Sequence, residues 1–178
     1  MKEAQSKAAS AVWPLVKTAL FFAFVPTTVA GYVPWRILSA PQIPPAGEWG
    51  GWQFAGATLV ALGAAGLVWC GWHFAVTGLG TPAPFDPPKK LVVRGPYRFV
   101  RNPMYFNVAT VLAGESLFFA SWALVRYLVF CWVVVHLFVL LYEEPTLREK
   151  FGADYEEYCR KVWRWVPRFP GSEPPTAG

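Results

Sequence analysis

The sequence predicts an all-α integral membrane bundle of four transmembrane helices with a C-terminal amphipathic cytoplasmic helix, and three observations predict it. Of 178 residues, 54% are apolar and 15% charged, and mean hydropathy is positive, outside the range of ordinary soluble domains. The apolar residues gather into runs of the length that crosses a bilayer, about 20 residues each. Lysine and arginine collect on one side of those runs, the asymmetry that fixes membrane orientation.

The first span, Ala11 to Val33, is interrupted by Pro14, Lys17 and Pro26 and has no small-residue cleavage pattern after it. It reads as a kinked span, not a cleaved signal peptide. The second, Trp52 to Leu79, has the length and low charge of a membrane helix. The third, Met104 to Ala120, is shorter and carries Glu115; with the fourth, Trp122 to Tyr142, it forms an apolar hairpin turning near Ser121. Arg126, a few residues into the fourth span, snorkels to the outer interface. Glu115 and His73 are minor polar candidates, for the bundle interior and an interface.

Between Gly80 and Pro103 stand Lys89, Lys90, Arg94, Arg98 and Arg101 against Asp86, whereas Pro34 to Gly51 holds Arg36 against Glu48. The basic loop is therefore cytoplasmic, and four spans bring both termini to the same face, in keeping with Lys2 and Lys7. The net charge of +5 reports this asymmetry and contact with membrane lipids, so it does not call for nucleic acid. Cys70, Cys131 and Cys159 form no CxxC pair, so neither a disulfide framework nor a metal site is expected. Residues 1–170 read as a single membrane domain, and the Pro/Gly/Ser stretch 171–178 as a disordered tail.

After the fourth span, Leu147, Phe151, Tyr155, Tyr158 and Val162 recur at helical spacing, with Arg148, Asp154, Glu156, Glu157 and Lys161 on the other faces. This predicts an amphipathic helix over about 145–165, lying at the headgroup level with Trp163 and Trp165. Gly152 costs about 1 kcal/mol against alanine inside a helix, so a break or bend is expected there.

The segment VVRGPYRFVRNPMYFN, Val92 to Asn107, sets fixed charge and stiff backbone between apolar helices. Gly95-Pro96 forces one turn, since glycine permits positive φ and proline fixes its own φ. Asn102-Pro103 marks another, with Pro103 opening the third helix, where its missing N–H costs nothing. Arg98 and Arg101 beside the free helix N-terminus make an anion-friendly pocket, and the acidic pair Glu143-Glu144 stands opposite. These charges can hold a ligand of both signs or can pair with one another.

The order GPYRFVRNPMY, apolar hairpin, EEPTL, FGADYEEYCRKVWRWVP closely resembles the isoprenylcysteine carboxyl methyltransferase and phospholipid methyltransferase superfamily of membrane enzymes, over roughly Lys89 to Arg168. The first two spans match only in being apolar. The resemblance implies methyl transfer from S-adenosylmethionine to a lipid-like or prenylated small-molecule acceptor at the cytoplasmic face, through a carboxylate, amine or thiol. No glycine-rich dinucleotide fingerprint occurs, and this superfamily uses none.

The resemblance places the cofactor cradle at Lys90, Leu91, Val92, Tyr97, Asn102, Pro103, Met104, Tyr105, Glu143 and Glu144. Tyrosine and apolar groups suit adenine, backbone N–H groups a carboxylate, and glutamates the ammonium or ribose hydroxyls. Arg101 is the candidate for orienting an anionic acceptor, with a structural clamp on a glutamate or lipid phosphate as the rival reading.

Two departures stand out. The superfamily's Arg-His-Pro-x-Tyr here runs Arg101, Asn102, Pro103, Met104, Tyr105, and the arginine that prenylcysteine enzymes carry one turn before the acidic pair is replaced by Val139. His136, seven residues before Glu143 and so on its face of an α-helix, is a substitute base or acceptor contact, or a histidine hydrogen-bonded to a neighbouring helix. The alternative to an enzyme is a non-catalytic four-helix membrane accessory or lipid-binding protein.

Overall fold

The structure is a computed structural model that describes residues 20–21, 24–39, 46–73 and 91–168, and every regular element among them is helical. Lys2, Lys7, Pro14, Lys17, Asp86, Lys89, Lys90, the end of the second span and the tail 171–178 lie outside the described residues.

The first helical stretch contains a π-helical segment, Thr28–Tyr32, in which Ala30 leaves helical geometry at φ −107°, ψ 15°. A π-turn is one of the recognised causes of a helix kink, and it sits just after Pro26. Helix α1, Val33–Ile37, continues from it with Pro34 in its first turn.

Helices α2, Gly51–His73, and α3, Pro103–Phe118, run antiparallel with their backbones in near contact. A Cβ on Gly56 would lie 2.6 Å from the Gly114 carbonyl oxygen, and one on Gly114 would lie 2.7 Å from that of Gly56. Gly63, two turns along the same face, would set its Cβ 2.9 Å from the Asn107 carbonyl. Helices in lipid gain little from burying apolar surface against each other, so close approach through small residues supplies the packing.

The hairpin reverses at Ala120, φ 45°, and Ser121, whose hydroxyl accepts from the Leu124 N–H at 3.4 Å and caps helix α4, Trp122–Phe138. A π-helical turn, Val139–Glu143, joins α4 to α5, Glu144–Phe151. Two helical stretches among the described residues are long and apolar enough to cross a membrane, Gly51–His73 and the composite Trp122–Phe151. The 16 residues of α3 rise only about 24 Å, short of a hydrocarbon core of about 30 Å.

Gly152, at φ 49°, separates α5 from α6, Ala153–Lys161, which is the break expected there. The two short helices still share one apolar cluster, in which Tyr155, Tyr158 and Val162 are buried against Leu91, Leu147, Phe151 and Cys159. Asp154, Glu156, Glu157 and Lys161 are exposed. Helix ends at Lys161, short of residue 165, because Val162 turns extended (φ −126°, ψ 128°). Residues 163–168 then run back as an irregular strap along the basic loop. The Arg101 N–H donates to the Trp163 carbonyl at 2.9 Å and the Arg168 N–H to the Phe99 carbonyl at 2.7 Å.

Replacing Gly56 with leucine is expected to destabilise the α2–α3 pair by about 1–3 kcal/mol through overpacking. Gly47→Ala, where nothing lies within 4 Å of a new Cβ, is expected to leave stability unchanged. Thermal unfolding in detergent, followed by circular dichroism, compares the two.

Candidate active site

The loop before α3 is shaped by its two corners. Gly95 sits at φ +60° and a Cβ there would run into the His73 imidazole, so both conformation and space require glycine. Gly95–Arg98 form a short 3-10 turn with buried Pro96 in it. At the second corner Asn102 occupies the N-cap position with Pro103 as the first helical residue. Asn102 does not cap the helix with its side chain; it is buried, and its amide donates to the Arg164 carbonyl at 3.4 Å. Pro103 and Met104 are buried beside it, as is Val92.

Tyr97 is held by its main chain, since its carbonyl accepts the Tyr158 hydroxyl at 2.6 Å. Burial pushes the Tyr97 phenol well above its ordinary range, and nearby Cys70, Tyr158, Glu143 and Tyr105 add to the shift, so the group stays neutral. Tyr97, Tyr105 and Glu143 thus come together at the N-terminal end of α3. The Tyr105 hydroxyl donates to Glu143 Oε2 at 3.0 Å.

The acidic pair divides. Glu144 is 5% exposed and takes a bidentate grip from Arg164, Nε to Oε1 at 2.6 Å and Nη2 to Oε2 at 2.9 Å. Arg101 Nη1 approaches Oε1 at 3.2 Å, and Arg148 Nη2 stands 3.9 Å from Oε2. The hydrogen bonds to Glu144 hold the Arg164 guanidinium above its ordinary value. Glu143 turns the other way, to Tyr105, and among the described residues no cation lies within ion-pair distance of it. One carboxylate is held by guanidinium groups and its neighbour by a phenol.

Arg101 also donates from Nη1 to Cys159 Sγ at 2.6 Å, while its buried Nε has no partner among the described residues. His136 meets the strap: the Trp165 indole donates to His136 Nδ1 at 3.0 Å and packs on Trp132 at 4.6 Å between centroids. An indole nitrogen can only donate, so Nδ1 accepts and the neutral ring carries its proton on Nε2. The π-turn inserts a residue between His136 and the acidic pair. His136 contacts the residue next to Arg164, the principal partner of Glu144, and that residue lies in the irregular strap and not in a neighbouring helix. Val139 is fully buried, and Leu91 packs on the Tyr155–Tyr158 cluster at the edge of the group. Lys90 lies outside the described residues.

Arg164 and Trp165 do not emerge from reading the motif block alone. Their signal is the string WRWVPR after the amphipathic run, where an arginine flanked by tryptophans reads as an interfacial residue until its long-range partner is known.

A family model described as phospholipid methyltransferase matches residues 52–154. The chain belongs to the phospholipid methyltransferase family. No curated relative matches it. The phospholipid methyltransferase match takes in α2, α3, α4 and α5, and so includes the second apolar span, which carries no motif by eye. It places the chain in the membrane methyltransferase superfamily that also holds the isoprenylcysteine enzymes, and it implies a membrane methyltransferase. Methyltransferases of this family generally use S-adenosylmethionine. No cluster of metal-ligating side chains occurs among the described residues.

Glu144→Gln is expected to cost about 3 kcal/mol of stability, because it leaves Arg101 and Arg164 around a neutral group. The double variant Glu144→Gln with Arg164→Gln is expected to recover part of that loss, so the two single effects exceed the effect of the pair. Chemical denaturation of the four proteins in detergent closes the cycle.

Proposed function

We propose that the chain is an S-adenosylmethionine-dependent methyltransferase acting on a lipophilic carboxylate, amine or thiol at the cytoplasmic membrane face. It crosses the bilayer four times, the kinked first helix and the shorter α3 completing the pair of long spans, with both termini cytoplasmic. The observation that carries this reading is the split acidic pair: three arginines surround Glu144, and Glu143 is held by Tyr105 with no cation beside it among the described residues.

The residues present suit that cofactor. Glu143 offers a carboxylate oxygen for an ammonium or ribose hydroxyls, and the α3 N-terminus behind Pro103 offers N–H groups for a carboxylate. Tyr97, Tyr105, Met104, Val92 and Leu91 supply aromatic and apolar surface for a purine and for a sulfonium. Bound there, S-adenosylmethionine would supply a methyl group on a cationic sulfur, open to in-line displacement without a protein nucleophile.

The chain's own contribution is then positioning and exclusion of water. Tyr105 fixes the Glu143 carboxylate, and the neutral Tyr97 phenol keeps a second negative charge away from it. The unpartnered Arg101 Nε is the donor for an anionic acceptor group, and His136, with its proton on Nε2, offers a hydrogen bond to the acceptor, not a free base.

Calorimetry of purified protein in detergent with S-adenosylhomocysteine tests the reading. Saturable binding is expected, and Glu143→Gln is expected to weaken it about 10- to 100-fold, the worth of a charged hydrogen bond, with melting temperature unchanged. An absence of saturable binding by the unaltered chain sinks the enzyme reading and leaves a lipid-binding protein of this fold. Transfer of labelled methyl to a lipid extract or to a farnesylcysteine analogue identifies the acceptor.

A further inference from the structure

Helix α3 has two working faces, and the proposed reaction uses one. Tyr105, Val108 and Leu112 line a narrow seam toward α4, while Phe106 and Asn107 look toward α2 across a separate cavity of about 390 Å³. That volume falls in the range of small-molecule sites, roughly 300–1,000 Å³. Its walls include Leu62, Ala65, Gly66 and Trp69 of α2, with Phe106 and, from the loop, Phe99.

The lining is made for hydrocarbon. Asn107 is its polar side chain, and that amide already donates to the Pro103 carbonyl at 2.7 Å. No charged side chain among the described residues lines the groove, α2 has no Asp, Glu, Lys or Arg, and Arg101 nearby is already paired with Glu144. Exposed Arg98 stands with its guanidinium carbon 5.2 Å from the centre of the Phe99 ring, at the edge of the groove. Pro167, which also lines it, brings the backbone of Arg168 alongside, tied to the Phe99 carbonyl at 2.7 Å. Among the described residues a phosphate would find Arg98 at this edge, and no carboxylate lines the groove for an ammonium.

We infer that this groove binds an anionic phospholipid, one acyl chain lying between α2 and α3 and the phosphate at Arg98, as a ligand separate from the methyl acceptor. The site needs the membrane placement of the chain and stands or falls independently of methyl transfer.

The full chain is reconstituted in phosphatidylcholine bilayers containing a minor fraction of lipid with brominated acyl chains, which quench tryptophan on contact. The Trp69 signal is the difference between the unaltered protein and Trp69→Phe. Brominated phosphatidylglycerol is expected to quench it at about fivefold lower mole fraction than brominated phosphatidylcholine, the worth of one arginine beside an anionic lipid. Arg98→Gln, an exposed change, is expected to abolish the difference. Ala65→Phe, which fills the groove, is expected to do the same with helical content intact. Equal potency of the two headgroups, or a preference that survives Arg98→Gln, overturns the inference.

Discussion

A buried carboxylate must be compensated or it destabilises whatever holds it, and Glu144 imposes that condition on this structure. Removing such a charge from water costs several kcal/mol, a cost that only close, hydrogen-bonded counter-charges offset. Here the counter-charges come from three places: Arg101 before α3, Arg148 one turn on, and Arg164 in the strap after α6. Meeting the demand of Glu144 therefore draws the basic loop and the strap to the end of the fourth helix. The backbone bonds from Arg101 to Trp163 and from Arg168 to Phe99 run along the join so made. By contrast Arg148 and Glu156, both half exposed at 3.1 Å, form a surface pair of the kind that contributes little.

The same condition explains how two adjacent glutamates acquire different partners. Glu144 is saturated by guanidinium groups, so any further ligand would have to displace them. Glu143, one residue earlier, faces Tyr105 and the neutral Tyr97. Neighbouring side chains on a helix diverge by about 100°, so the two adjacent carboxylates point in different directions. Below this, α2 and α3 are joined backbone to backbone through Gly56, Gly63 and Gly114, which gives α3 a firm base. On its α4 side, α3 borders a narrow seam lined by Val29, Val108, Leu128 and Cys131 that reaches Tyr105.

Much of this was legible in the residues because it is local. Proline and glycine announced the corners at Gly95-Pro96 and Asn102-Pro103, Gly152 announced the break between the last two helices, and the spacing from Leu147 to Val162 named the shared apolar face. The ion-pair reading of Arg101 was open from the charge pattern, and the contact with Glu144 is present, although the pattern could not choose which glutamate. What the residues concealed is long-range. Nothing in the string WRWVPR says that Arg164 reaches back to Glu144 or that Trp165 reaches His136, since tryptophan and arginine are equally at home at a membrane surface. The π-turn was concealed for another reason: Val139 to Glu143 is a good apolar helix sequence, and only tertiary contacts select the extra residue. Phase counted on an ideal helix set His136 on the face of Glu143, a count that the π-turn between them shifts.

The order of residues along the chain gives the Glu144 cluster a history as well as a geometry. Arg101 is synthesised before the acid and Arg164 20 residues after it. As the chain emerges from the ribosome, the fourth helix reaches the membrane with Glu144 facing only the first of its two close partners. The Glu144 cluster is completed when the strap arrives. Assembly of the site is thus a closing event in biogenesis, later than insertion of the helices that frame it, and a nascent chain halted before residue 164 has the helices without the clasp.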